Sequence, residues 1–140
     1  MSQPIHALSV GTFAPALRTL SALLDKAVAH ARAAGADPDS LLTARLAPDM
    51  YTLAQQIGLA CLHAEAGVAR LTGAPAPDTG EPARSIAAAQ TQIVAAVGAV
   101  EAASEAAFAG AARPRAVKSF SARGKKSLTM PSASQPPLRV

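Results

Sequence analysis

The sequence predicts an all-α fold, an up-down helical bundle built on three long helices. Two observations carry that reading. Apolar residues recur at steps of three and four in three separate segments, the spacing of one face of an α-helix. Proline and glycine fall between those segments, where helices must start and stop. Composition agrees: of 140 residues, 36 are Ala, half are apolar and only 3% are aromatic. The core is therefore expected to be thin.

The first helix is expected over Val10–Ala34. Phe13, Leu17, Leu20, Leu24 and Val28 form its stripe, and Leu23 and Ala27 widen it. Pro15 is tolerated only in a first turn, which sets the start near Thr12 as N-cap. Gly35 suits the left-handed residue that ends a helix. Asp37-Pro38-Asp39-Ser40 then reads as a cap with proline at the first helical position, opening one or two turns over Leu41 and Leu42. A second long helix is expected from Pro48 or Asp49 to Leu71, stopped by Gly73. Its stripe is Met50, Leu53, Ile57, Ala60, Ala64, Val68 and Leu71, with Cys61 beside it. Pro75, Pro77 and Pro82 forbid helix in the following loop. The third helix, Ala83–Ala107, has a narrower stripe of Ile86, Ala89, Ile93, Val97 and Val100.

The chain divides by charge. Residues 1–112 carry six basic groups against all nine acids, whereas residues 113–140 carry seven basic groups and no acid. We read 1–112 as the bundle and 113–140 as a basic Pro/Ser-rich tail, disordered or loosely packed. Phosphate tracking by such a tail is a matter of counterion release. Base stacking needs aromatic partners, and the tail has Phe120 alone, so nucleic-acid binding is not expected of it. A single cysteine, Cys61, excludes an intramolecular disulfide. No uninterrupted apolar run reaches the roughly 18–20 residues of a membrane span, and the N-terminus lacks the basic and apolar regions of a secretion signal. A cytoplasmic protein without a membrane partner is expected.

Ala44-Arg45-Leu46-Ala47-Pro48-Asp49-Met50 resembles the signature of a bacterial domain-of-unknown-function family within the DinB-like superfamily. Leu20–Ala27 and Ala29–Ala31 in the first helix support the resemblance. Gln56–Cys61, Ala69–Gly73 and Phe108–Gly110 extend it, over residues 7–112 in all. The resemblance implies a DinB-like four-helix bundle, yet the fourth helix of the family has no counterpart here and is missing or replaced. The acid-free ending resembles that of a truncated or frame-shifted reading frame. A bundle short of one helix leaves an apolar groove, and each Leu-sized side chain left in water forfeits about 1.5–3 kcal/mol. A homodimer through that groove is the expected remedy.

DinB-like proteins hold a divalent metal, zinc or nickel, through three histidines, one on the second helix and two on the fourth. By that resemblance His63 is the single candidate metal ligand. A catalytic metal wants about three protein ligands. One ligand makes no site, so no catalytic residue and no cofactor is assigned. Cys61 reads as a small core hydrophobe, since His63 stands about 200° away from it around a helix. Arg45, Pro48 and Asp49 are read as the signature loop that caps and anchors the second helix, Asp49 at its positive end. Asp25 and Glu65 read as single carboxylates without a partner. The sequence thus points to a non-enzymatic or vestigial helical-bundle protein. A metal-dependent DinB-like enzyme of thiol-transferase type, with an incomplete metal site, is the alternative.

Overall fold

Helix α1 covers Ile5–Ala33. The computed structural model describes residues 4–78 and 80–110, and all regular structure among them is helical. Helix α2 is Leu53–Thr72 and α3 is Ile86–Ala102, with short 3₁₀ helices at Pro38–Thr43 and Glu105–Gly110. The all-α bundle expected from the sequence is the observed fold. The basic segment from residue 113 lies outside the described residues.

Helix α1 starts well before Thr12 and carries Pro15 in its interior. An interior proline costs a helix about 3 kcal/mol or more. Here the turns before it are held by packing. Ser9 is buried, Ile5, Val10 and Phe13 lie against the core, and His6 Nε2 donates to the Ala103 carbonyl at 3.0 Å. The His6 ring also meets Phe108 edge-on at 5.2 Å. Tertiary contact outweighs propensity. At the other end Gly35 adopts φ 72°, and Ala36 N–H bonds back to the Ala31 carbonyl at 2.9 Å.

The 3₁₀ turn opens as its sequence suggests, with an Asp37 side-chain oxygen accepting from Asp39 N–H at 3.1 Å. Helix α2, however, does not begin at Pro48 or Asp49. Thr52 caps it: Thr52 Oγ1 accepts from Gln55 N–H at 3.3 Å, while Thr52 N–H donates to Gln55 Oε1 at 2.9 Å. That reciprocal box satisfies two backbone amides that a start at Asp49 would not. Gly73 at φ 77° ends the helix. Helix α3 is capped twice, Ala88 N–H donating to Ser85 Oγ and Ile86 N–H to Asp39 Oδ1 at 2.8 Å. It stops at Ala102, short of Ala107, where Ala103 turns extended and Glu105–Gly110 brings Phe108 back into the core.

Helix α3 is the central element, packing against both α1 and α2, which touch one another less. The N-termini of α2 and α3 both sit at the C-terminal end of α1, where Leu53 N–H reaches the Ala44 carbonyl and Asp39 reaches Ile86. At the opposite end His6 meets Ala103. Chain direction is therefore refined from simple alternation: α1 is antiparallel to both others, and α3 runs parallel to α2. A parallel pair needs a return crossover. The 20-residue α2 is about 30 Å long, and the proline-bearing segment between Gly73 and Ser85 makes that return.

The buried stripes differ in detail from the periodic ones. On α2 the inward set is Ala54, Ile57, Cys61, Ala64 and Val68, so Cys61 belongs to the core while Ala60 and Met50 are exposed. On α3, Ala96 joins Ala89, Ile93 and Val100. Leu23 is 56% exposed instead of widening the α1 stripe. The α1–α3 seam carries a polar clasp: Ser21 Oγ donates to Gln90 Oε1, and Gln90 Nε2 donates to the Ser21 carbonyl and to Asp25 Oδ1. An Arg18–Glu101 ion pair lies on the same side. By length and composition α1 could cross a membrane, a test that the core helix of a soluble protein also passes.

Candidate functional site

The parallel arrangement leaves two cavities along the α2–α3 seam. Because the crossover runs back along the α2–α3 seam, it roofs a groove between the two helices. Near the start of α2, Tyr51, Gln55, Gly58, Leu62, Gln92 and Pro82 surround about 300 Å³. Toward its end, Val68, Thr72, Pro75, Pro77, Ala99 and Ala102 surround about 420 Å³. Glu65 lines both. The walls are mostly apolar, and among the described residues the charged groups on them are Glu65 and Asp78. Volumes of this size lie at the lower end of the range for small-molecule sites.

Cys61 lies at the inner wall of the first cavity and is 2% exposed. Burial, with the Glu65 carboxylate one turn away adding to it, pushes its thiol up to about 11. A thiol that stays protonated is a poor nucleophile. At pH 7–8 the native protein should accordingly resist a thiol reagent that labels the urea-unfolded chain at once; rapid native labelling would contradict the burial. The linkage sign follows. Between the unfolded value near 9 and the folded value near 11, the unfolded chain loses a proton that the folded chain keeps, so stability falls as pH rises through that window.

The residues singled out from sequence are dispersed. His63 is exposed on α2, outside both cavities. Arg45 is exposed and donates from Nη1 to the Met50 carbonyl at 3.1 Å, folding the signature loop onto itself. Pro48 and Asp49 are exposed in that loop, and Asp49 is not at a helix N-terminus, so the capping role expected of it belongs to Thr52. Glu65 and Asp78, by contrast, share one cavity. Sequence reasoning paired neither, although three prolines in a return segment were the available signal.

The histidines do not fit a three-ligand metal centre. His6 and His30 sit near opposite ends of α1, about 36 Å apart at 1.5 Å per residue. His63 can approach one of them at most. Among the described residues no three His, Cys, Asp or Glu side chains gather to hold a metal. The remaining residues, 1–3, 79 and 111–140, contain none of these four types.

A family model described as a domain of unknown function, DUF1993, matches residues 5–135. The chain belongs to this family. The match runs past residue 112, so most of the basic segment falls within the family's span instead of outside it. A solved structure from Shewanella denitrificans, described as a DinB family member, is similar with a TM-score of 0.70 and 39% sequence identity. The similarity covers 79% of this chain and 63% of that one, so this chain spans less than two thirds of that relative's length. No curated protein matches.

Proposed function

We propose that this DUF1993 member is a non-enzymatic helical-bundle protein that pairs with a second copy of itself. The observation that carries the non-enzymatic reading is the spread of its histidines, two of them near opposite ends of one helix. A metal-activated water or thiol needs about three ligands on one ion. The buried, protonated Cys61 supplies no nucleophile in their place.

Pairing is supported by the looser contact between α1 and α2. Leu23 stands on the flank of α1 away from the Ser21 and Asp25 side that meets α3, and Ala60 and His63 are exposed on α2. A second copy related by a two-fold axis would lay one such flank against another, an isologous contact. Burying each Leu-sized side chain there is worth about 1.5–3 kcal/mol.

Metal analysis and solution mass on protein made without a histidine tag test both parts. The expected result is a dimer without stoichiometric zinc or nickel, unchanged in metal content by His63→Ala. Stoichiometric metal lost in His63→Ala would establish the metal-dependent reading instead, and a monomer at micromolar concentration would remove the pairing.

A further inference from the structure

We propose that the groove beneath the crossover binds an aliphatic amine, a ligand with a slender apolar body and one protonated nitrogen. This inference is independent of pairing and of metal content, because the groove lies between α2 and α3, away from the α1–α2 flank. Shape supplies the first argument. The two cavities adjoin at Glu65, and together they follow the α2–α3 seam beneath prolines 75, 77 and 82. Their wall at the C-terminal end of α3 includes the small residues Ala99 and Ala102, with Ala103 just past the helix. An alkyl body lying along the seam would touch both cavities.

Charge supplies the second. Among the described residues, Glu65 and Asp78 are the charged side chains on the two walls, and no described Lys, Arg or His lines either cavity. Glu65 is half-buried and lies on the wall of both cavities. Placing a carboxylate on an apolar wall is costly unless it is paired. An ammonium group at the junction would give it a charge-assisted hydrogen bond, while alkyl carbons filled the space to either side. Tyr51, which lines the first cavity, brings an aromatic ring to the same site, the kind of face that attracts a cation. A carboxylate ligand would be repelled, and a neutral alcohol would leave Glu65 without its counter-charge.

Titration of the full-length protein with hexylamine, hexanol and hexanoate, followed by calorimetry at pH 7, separates these cases. Hexylamine is expected to saturate one site per chain, with hexanol and hexanoate at least about tenfold weaker. A hydrogen bond to a charged group is worth about 1.5–3 kcal/mol, so Glu65→Gln should weaken hexylamine by about 10- to 100-fold. That variant keeps the side-chain shape, and its unliganded melting temperature should stay close to the parent's. Ala99→Leu, on the wall of the second cavity, should also weaken binding by filling the channel. Equal binding of hexanoate, an unchanged affinity in Glu65→Gln, or no saturable signal from any probe at millimolar concentration would overturn the proposal.

Discussion

Ile93→Ala is expected to lower the unfolding free energy by about 2–5 kcal/mol, the range for removing a fully buried Ile side chain to its Cβ. Ile93 is 1% exposed and lies on α3, the helix that touches both others. The loss would be a large part of the 5–15 kcal/mol that holds a typical domain together. Val94→Ala on the same helix is the control: Val94 is 65% exposed, and its truncation should fall within about 0.5 kcal/mol of parent. Urea denaturation reads both as midpoint shifts at constant slope. Equal shifts for the two variants would mean that α3 is not oriented as described.

Ala96→Leu is expected to destabilise by about 1–3 kcal/mol, for the opposite reason. Ala96 and Ala89 have no exposed surface at all, so α3 approaches its neighbours closely at these positions and three added carbons have no room. Interiors are packed at crystal density and do not yield such space without displacing helices. Gly98→Ala provides the contrast on the same helix, because nothing lies within 4 Å of the Cβ it would gain. Helix propensity alone then predicts a gain of about 0.8–1 kcal/mol. A melting curve that rises for Ala96→Leu would show that the helices stand further apart than these burials require.

Periodicity made the three helices and most of their inward residues legible from sequence, because a stripe of Leu, Ile and Val has one physical use. It failed where packing overrode local preference. Pro15 placed the start of α1 near Thr12, yet His6 and Phe13 have tertiary partners that keep the earlier turns helical. Asp49 read as a cap, but Thr52 with Gln55 offers the box that satisfies two amides. Alanine fits core and surface alike, so Ala60 and Ala96 could not be sorted by hydropathy. The candidate site was less legible still. Glu65 and Asp78 share a cavity only because α3 runs parallel to α2, and helix direction is not written in a stripe.

The position of α3 also shapes how the chain can form during synthesis. The main cover for α1 is α3, the last long helix among the described residues, and the Ser21–Gln90 clasp links residues 69 apart. On a ribosome adding about 5–20 residues per second, Leu17, Leu24 and Val28 emerge several seconds before their partners. The nascent α1 therefore has to wait with its apolar side uncovered, which makes early handling by a chaperone, or sequestration against the later-emerging α2, part of the folding history of this architecture.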